Sequence, residues 1–299
     1  MKNLSQERIG ELMIVGETIT YSLFPVIIAH TTKIMPPILF AGASAIVASI
    51  SVFLYLFFTK QLKDLINKKT IKYSLLVTLF IMIIPSIFIF IGSSKTSGIN
   101  TTILLQTEIL STLIVFGILS LEKITTKKIL GAILVFIGAS LIVFNGTFNI
   151  NPGDIFIIIG ASIYPIGNIF SKKTVKIASP SIILFIRSFV GGLILIAISL
   201  LFESHPNAFS SIKANLPIIL LTGIVIYHIS KIMWYEGIKR IDVTKAIPIS
   251  VGGGPLLSLI FSIILLKEIP TIFQIIGFIL ILVGVFTVTL KNKNTQLNP

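Results

Sequence analysis

The chain has 299 residues, of which 54% are hydrophobic and only 12% are charged. Soluble domains carry about 25% charged residues, because a water-facing surface needs them. The composition therefore excludes soluble enzymes, extracellular disulfide scaffolds and disordered chains, and it predicts an integral membrane protein. Because the sequence contains no cysteine, disulfides, thiolate metal sites and cysteine nucleophiles are also excluded.

Apolar stretches of about 20 residues, each long enough to cross a ~30 Å hydrocarbon core, divide the chain. They are too long for strands, and a bilayer requires backbone hydrogen bonds within each segment, so we expect helices. Turn residues such as Pro36-Pro37 separate the stretches, and no small-residue cleavage site follows the first one, which is predicted to be retained. The predicted spans are 9–30, 36–58, 71–93, 97–120, 128–146, 154–171, 180–202, 215–238, 244–266 and 272–290.

Lysine and arginine are distributed unevenly between the two sets of predicted loops. With the N-terminus placed inside, 18 basic residues fall in cytoplasmic segments and four on the opposite side, while Arg187 and Lys231 fall within spans. Positive residues accumulate on the cytoplasmic side of membrane proteins. The sequence therefore predicts a multi-pass protein of the cell membrane with both termini cytoplasmic and residues 145–153 outside. The net charge of +13 is interpreted as this topology signal and not as a nucleic-acid site.

An internal repeat relates the two halves of the chain. Residues 121–141 and 267–287 align without gaps at an offset of 146, which pairs Glu122 with Glu268. Each acid lies at a predicted helix–helix turn and is followed by two glycines one heptad apart. The glycines are Gly131 and Gly138 in the first copy, and Gly277 and Gly284 in the second. Glycines with this spacing share one helix face and allow a neighbouring backbone to approach closely.

The starts of the halves agree more loosely, with Tyr21 opposite Tyr164 at an offset of 143. A repeat of five spans is odd in number, so the second copy enters the membrane from the other side. We therefore expect an all-α membrane protein with ten transmembrane helices, arranged as two inverted five-helix repeats that comprise residues 1–146 and 147–299. Inverted repeats are typical of transporters that alternate access around a central site.

The same segments carry a family resemblance that extends from about residue 10 to residue 290. Its motifs are Ile118-Leu119-Ser120-Leu121-Glu122 and Ile264-Leu265-Leu266-Lys267-Glu268 with their glycines, the aromatic run 234–240, and Phe185-Ile186-Arg187-Ser188-Phe189. The chain resembles a ten-helix, EamA-type member of the drug/metabolite transporter superfamily. The resemblance implies secondary transport and favours export over uptake. It also implies that Arg187 binds a carboxylate or a carbonyl group beside the cavity.

Ionisable residues at membrane depth are costly, so each is a candidate functional group. Glu108 lies near the centre of the fourth span and is interpreted as a substrate or proton site, with a neutral, hydrogen-bonded structural carboxyl as the alternative. Glu17, two turns into the first span, is either a cavity carboxylate or proton acceptor, or a hydrated acid at the rim. Arg187 in the seventh span either supports the structure or contacts substrate.

The eighth span carries His228 and Lys231 at helical spacing, with Tyr227 beside them. An ammonium near the midplane would suit a substrate carboxylate, and the aromatic ring would suit an apolar side chain. Alternatively, Lys231 pairs with Glu108 or Glu17 and neutralises it. His228 is either a relay group or a structural hydrogen-bonding residue.

Gly252, Gly253 and Gly254 interrupt the ninth span, at the place where the first repeat has Gln106-Thr107-Glu108-Ile109. Weak helical positions at corresponding places in inverted repeats indicate a binding site. The glycines therefore predict a cavity wall or hinge, and close helix packing is the alternative.

These candidates favour a secondary transporter for amino acids or related zwitterions, because a carboxylate and an ammonium in one cavity complement a zwitterion. A carrier for amphipathic cations is the alternative in the same class, and a receptor or sensor is the alternative in another. The sequence has no nucleotide-binding motif, HExxH motif or aspartate pair, so we expect neither catalysis, nor a metal, nor a cofactor. The expected partners are a small-molecule substrate and the lipid bilayer, with protons left open and no nucleic acid, in a monomer or a homodimer.

Overall fold

The computed structural model of the chain describes residues 5–62, 67–120, 125–146, 150–204, 208–241, 246 and 248–289. These residues form helices and turns, and no strand occurs among them. Several predicted features lie outside the described residues: Glu122 of the repeat motif, residues 147–149 of the predicted outer loop, residues 244–245 and 247 of the ninth predicted span, and residue 290 of the tenth.

The described residues form ten apolar helices that lie close to the predicted spans. They are α1 Gln6–Thr31, α2 Pro37–Phe58, α3 Lys68–Ser93, α4 Gly98–Ile118, α5 Thr126–Phe144, α6 Pro152–Thr174, α7 Pro180–Phe202, α8 Leu216–Ile238, α9 Gly253–Leu266 and α10 Ile272–Thr289. The first eight are long and apolar enough to cross a membrane, and their bounds lie within three residues of the predicted ones. A short helix, Ala208–Ala214, was not predicted and lies between α7 and α8.

The helices pair in a pattern that repeats between the halves. When the halves are exchanged, α1 corresponds to α6, α3 to α8 and α4 to α9. The contact of α1 with α8 therefore corresponds to that of α6 with α3, and the contact of α4 with α6 corresponds to that of α9 with α1. α2 packs against α7, and α5 against α10, so these two pairs map onto themselves when the halves are exchanged. The fold is therefore an all-α membrane bundle of two inverted five-helix repeats, as the odd number of spans per repeat requires.

α5 and α10 approach each other closely along the glycines of the repeat. A Cβ atom added to Gly138 would lie 2.6 Å from the carbonyl oxygen of Gly277, and one added to Gly131 would lie 2.7 Å from that of Gly284. A Cβ atom added to Gly277 would likewise lie 2.7 Å from the carbonyl oxygen of Gly138, and one added to Gly284 would lie 2.6 Å from that of Gly131. Any larger residue at these positions would push the two backbones apart, which explains the spacing of the repeat motif.

Four helices contain irregular turns, and these also occur at corresponding places in the repeats. α3 contains a π turn at Thr78–Ile83 and α8 a longer one at Leu221–Ile229. α4 is interrupted by a 3₁₀ turn at Leu105–Thr107, and a π turn at Pro248–Gly252 precedes α9. The sequence predicted an interruption at Gly252–Gly254 within a ninth span of 244–266, but the π turn ends at Gly252 and the regular helix α9 begins only at Gly253. Irregular turns inside helices are frequent at functional sites.

The bundle has two ends of different character. The basic end carries exposed residues such as Arg8, Lys60, Lys68 and Lys172, and the N-terminus of α1 lies there. The opposite end carries three acids, Asp154, Glu203 and Glu268, that bind at the beginnings of helices. Glu203, for example, accepts hydrogen bonds from the backbone N–H groups of Ile38 (2.8 Å) and Leu39 (3.0 Å) and so caps α2 from the other half.

Candidate functional site

A central cavity of about 520 Å³ lies between α1, α3, α4, α6, α7, α8 and α9. Four ionisable side chains reach it: Glu17, Glu108, Arg187 and Lys231. Aromatic side chains form much of the remaining wall: Tyr21, Phe24, Tyr164, Tyr227, Trp234 and Tyr235. Such a site can hold a small molecule by apolar contact and orient it through a few polar groups.

Glu17 and Lys231 form an ion pair across the cavity wall between α1 and α8. The Lys231 Nζ lies 3.5 Å from Glu17 Oε1, and Ser250 donates a hydrogen bond of 3.4 Å to the other carboxylate oxygen. The same ammonium lies 3.3 Å from the centre of the Tyr21 ring, as in a cation–π contact. The side chains are 4% and 24% exposed, so the pair is sheltered and each charge has its partner. Of the two pairings left open by the sequence, the structure has Lys231 with Glu17.

Glu108 lies on the other side of the cavity, directly after the 3₁₀ turn of α4. Its Oε1 accepts a hydrogen bond of 3.0 Å from Asn168 Nδ2 on α6. In the described part of the chain no cation lies within ion-pair distance of this carboxylate. Asn168 was not identified from the sequence, although it continues a polar stripe on α6 with Tyr164 and Ser171, which also line the cavity.

Arg187 enters the cavity from α7. Its Nε is buried and has no hydrogen-bond partner, and the guanidinium forms no ion pair with any described residue. The carboxylate or carbonyl partner implied by the family resemblance is therefore not found among these residues. A buried donor without a partner is costly, which makes Arg187 a group that a ligand can satisfy.

Three predicted site residues do not line the cavity: His228, Gly252 and Gly253. His228 Nδ1 lies 2.7 Å from Ser51 Oγ of α2, and its ring packs edge-on against Tyr55. The π turn that ends at Ile229 has more residues per turn than an α-helix, so His228 and Lys231 do not share the face that regular helical spacing predicts. A Cβ atom on Gly252 would contact the Phe286 ring of α10.

The remaining two glycines lie against α1. A Cβ atom added to Gly253 would lie 3.4 Å from Thr18 Cγ2, and one added to Gly254 would lie 4.0 Å from the same atom. Gly254 lines the cavity, whereas Gly252 and Gly253 do not. Of the predicted residues, the structure thus brings Glu17, Glu108, Arg187, Tyr227, Lys231 and Gly254 together.

The opposite end of the cavity is closed by the first turns of α4. All residues of the segment Gly98–Leu104 are buried, among the carboxyl-terminal halves of α1 and α9. Glu268 caps this segment, with hydrogen bonds of 2.8 Å from the backbone N–H groups of Gly98 and Ile99. The acid of the second repeat motif therefore holds a helix of the first repeat in place.

A buried polar cluster adjoins this cap. Asp154 at the start of α6 is 1% exposed and accepts hydrogen bonds from Thr96 Oγ1 (2.5 Å) and Asn100 Nδ2 (3.0 Å). Asn100 Oδ1 in turn accepts a bond of 2.7 Å from Gln274 Nε2 on α10. These bonds join the two repeats, so the opposite end is fastened by polar contacts as well as by packing.

The cavity extends to the basic end. Ser171 and Tyr235, in the last turns of α6 and α8, line it and remain partly exposed, as does Ser250 in the π turn that precedes α9. These lining residues place the described mouth of the cavity at the basic end.

Comparison with known proteins agrees with this architecture. The family model described as the EamA-like transporter family matches residues 8–144 and, a second time, residues 151–290. The chain belongs to this family. The EamA-like transporter is thus a membrane transporter of the drug/metabolite type, and its family indicates transport rather than catalysis.

Similar proteins share this assignment at low identity. The uncharacterized transporter YyaM of Bacillus subtilis (strain 168) is 27% identical over 240 residues, 78% of this chain and 77% of that protein. An uncharacterized transporter of Methanothermobacter thermautotrophicus is 24% identical over 314 residues, 95% of this chain and 87% of that protein. A crystal structure of a protein with 17% identity has a TM-score of 0.66 and covers 94% of this chain and 96% of that one, which supports the fold alone.

Proposed function

We propose that this EamA-like transporter is a secondary carrier that exports small zwitterionic metabolites, amino acids or related compounds, across the cell membrane by alternating access. The units that move are the two repeats, residues 1–146 and 147–299, and both termini are cytoplasmic. The family supports a transporter with a small-molecule substrate; the substrate class, the direction and the orientation are our proposal.

The unequal pairing of four charged groups carries the proposal. Glu17 and Lys231 satisfy each other, whereas Glu108 has only the amide of Asn168 and Arg187 has no partner among the described residues. Charged groups away from water need a partner of opposite sign. A ligand with an ammonium for Glu108 and a carboxylate for Arg187 would supply both partners at once.

The size and lining of the cavity fit such a ligand. Its volume of about 520 Å³ suits a small metabolite, since ligand pockets typically measure about 300–1,000 Å³. Aromatic rings such as those of Tyr164 and Tyr227 offer apolar contact to a side chain without adding charge. We infer that the substrate has an apolar or aromatic side chain beside its two charges.

The open end of the cavity supports the proposed export direction. The charge bias assigns the basic end to the cytoplasm, so this conformation would load substrate from the cytoplasm. Release then requires closure of the basic end and separation of the polar contacts at the opposite end, which is the alternating movement of inverted repeats.

An amphipathic cation is the second candidate substrate. The position of the Lys231 ammonium over the Tyr21 ring indicates that the aromatic wall accommodates a positive charge. Two carboxylates, Glu17 and Glu108, line the same space. A cation would use these groups and leave Arg187 without a partner.

Thermal stability with matched ligands separates the two candidates. Phenylalanine carries both charges, its N-acetyl derivative lacks the ammonium, and its methyl ester lacks the carboxylate, while all three keep the same aromatic side chain. For a zwitterion site we expect only the parent compound to raise the melting temperature, since a ligand at 100 times its Kd adds about 2.7 kcal/mol. Stabilisation by the ester alone would favour the cation candidate, and uptake of each compound into proteoliposomes would confirm transport.

Variants assign the two ends of the ligand. Arg187→Gln should abolish the preference for phenylalanine over its methyl ester, which lacks the carboxylate. Glu108→Gln should abolish the preference for phenylalanine over its N-acetyl derivative, which lacks the ammonium. Each loss should be on the order of 10- to 100-fold, the value of a hydrogen bond to a charged group. Lys33→Gln, an exposed change outside the cavity, is the matched control. Unchanged preferences in both cavity variants would contradict the assignment.

A further inference from the structure

A second cavity, of about 610 Å³, lies on the outer surface between α3 and α7 near the basic end. Two lysines, Lys68 and Lys72, border it at the start of α3. Its walls are apolar and include Leu75, Leu79 and Ile194, whose side chains are 42%, 37% and 39% exposed. On a membrane helix this exposure is towards lipid, so the groove opens sideways into the bilayer.

The lysines stand in an electrostatically unfavourable place. α3 begins at Lys68, and its first turns contain Lys68, Lys69 and Lys72 but no acid. A helix N-terminus carries a partial positive charge, which repels cations and attracts anions. None of the three lysines forms an ion pair with a described residue. Asn67 Oδ1 accepts a hydrogen bond of 3.0 Å from the Lys69 N–H, so the lysine side chains and the partial positive charge of the helix would attract an anion at this point.

The dimensions of the groove match one lipid leaflet. The groove runs along α3 from Lys68 to Ile83, and these 15 steps correspond to about 22 Å at 1.5 Å per residue. The bilayer with its headgroup regions is about 40–45 Å thick, so this length is about half of it. The groove therefore has a cationic mouth at the level of the headgroups and an apolar floor as deep as one leaflet.

We propose that the groove binds an anionic phospholipid, with its phosphate at Lys68 and Lys72 and one acyl chain along α3 and α7. Basic pockets between membrane helices on the cytoplasmic side are suited to acidic headgroups. The site depends on the membrane location of the chain and is independent of the substrate proposed for the central cavity.

The groove also lies directly behind the central cavity. Thr78 and Ile83 of the π turn line the groove, while Ile81 and Met82 of the same turn line the central cavity. Across the groove, α7 packs closely here, because a Cβ atom on Gly191 would lie 2.7 Å from Met82 Cγ. The lipid thus contacts the outer face of a turn whose inner face borders the central cavity.

Native mass spectrometry of the purified full chain tests the site. The protein is incubated with equal amounts of phosphatidylglycerol and phosphatidylcholine, and the lipids retained at increasing collision energy are counted. Wild type should retain one phosphatidylglycerol molecule preferentially. The double variant Lys68→Gln/Lys72→Gln should lower this retention at least tenfold, since each lysine near the headgroups contributes substantially to binding of acidic lipid.

Two further variants distinguish a groove from diffuse attraction. Lys172→Gln/Lys173→Gln removes the same charge from exposed positions of the same end and should retain the lipid. Ile194→Trp keeps every charge but fills the groove, and it should lose the lipid. Melting curves check that each variant is folded. The proposal would be overturned if both double lysine variants lost phosphatidylglycerol equally, or if wild type retained phosphatidylcholine as well as phosphatidylglycerol. Full retention of phosphatidylglycerol by a folded Ile194→Trp protein would also overturn it.

Discussion

The two halves of α4 lie in different surroundings, although they belong to one helix. In Gly98–Leu104 every residue is buried and the first turn is capped by Glu268. In Glu108–Ile118 only Leu113 is buried. The 3₁₀ turn Leu105–Thr107 separates the halves at the level of the central cavity. The contrast teaches that α4 is both the plug of the closed end and one wall of the open end.

The polar contacts of the repeats differ in the same way. Asp154, at the start of α6, holds Thr96 and Asn100 in the buried cluster. Its counterpart at the offset that pairs Tyr21 with Tyr164 is Glu11, which is partly exposed and has no hydrogen bond with a described residue through its side chain. Among the described residues, Asp154 thus has hydrogen-bond partners at one end, whereas the equivalent Glu11 has none at the other. A carrier with inverted repeats needs such a difference in each of its two states.

The largest expected effect is the sidedness of labelling in this cysteine-free chain. Ser171→Cys, at the open end, should react with a membrane-impermeant maleimide from the basic side, and Thr102→Cys, buried at the closed end, should not react from the other side. Ile150→Cys, at a position 56% exposed, should react in intact cells, whereas Thr59→Cys should react only after lysis. Reaction of Ile150→Cys only after lysis would contradict the cytoplasmic placement of the basic end.

Glu108 stands where the two halves of α4 meet, and its replacement tests what the open half binds. We expect Glu108→Gln to lower exchange and pH-driven uptake together, by roughly 10- to 100-fold, because a charge-assisted contact to substrate is lost. Thr112→Val, one turn further along α4 and outside the cavity lining, is the control.

Other outcomes for Glu108→Gln have distinct meanings. Loss of pH-driven uptake with normal exchange would indicate that Glu108 carries a coupling proton instead. Loss of folding, measured by a melting curve, would indicate a structural role. Wild-type behaviour in both transport assays would remove the residue from the site.

A smaller effect is expected when the closed end is weakened. Asp154→Ala removes the acceptor of Thr96 and Asn100, which should cost about 1–3 kcal/mol in the free energy of unfolding. Because the lost bonds join the repeats, Thr102→Cys should become reactive from the opposite side in this background. Asp154→Asn retains an acceptor and should show a weaker effect. A stable Asp154→Ala protein with Thr102→Cys still protected would show that packing alone closes this end.

The smallest effect concerns the α5–α10 contact beside that end. Thr271 Oγ1 donates a hydrogen bond of 2.6 Å to Asn145 Oδ1, and Asn145 has a left-handed backbone with φ of 42°. Asn145→Ala should lose about 1 kcal/mol from the hydrogen bond and the strained conformation. Glycine adopts the left-handed backbone without strain but cannot accept the hydrogen bond from Thr271. Asn145→Gly is therefore expected to have a melting temperature between those of Asn145→Ala and wild type. Equal melting temperatures for all three proteins would show that the bond and the conformation contribute nothing.

The helices and their repeat could be predicted from sequence because the bilayer imposes length and polarity on each span. The glycines of α5 and α10 were also informative, since only close backbone contact requires Gly131, Gly138, Gly277 and Gly284 together. The cavity carboxylates were also predicted from the sequence, because a charged residue at membrane depth is energetically costly and is therefore a candidate functional group. Their role as substrate ligands stays a prediction.

Side-chain direction was where sequence reasoning failed. Regular helical spacing placed His228 with Lys231, but the π turn of α8 directs His228 towards Ser51. Asn168 escaped notice because an uncharged amide carries a smaller cost in the membrane than an acid does. Asp154 was taken as the first residue of a span, and its burial depends on Thr96 and Asn100 from another helix, which no local pattern reveals.

The glycine contact of α5 and α10 has a consequence for how such a chain can change over generations. Gly131 faces the carbonyl of Gly284, the equivalent of Gly138, and Gly138 faces that of Gly277, the equivalent of Gly131. This is the reciprocity of an interface between two identical subunits. In a dimer of single repeats, one substitution would alter both contacts at once. After gene fusion, Gly131 and Gly277 are inherited as separate positions, so a change in one contact leaves the other intact. The two halves of the fused chain can therefore diverge in sequence while the contact between α5 and α10 is kept.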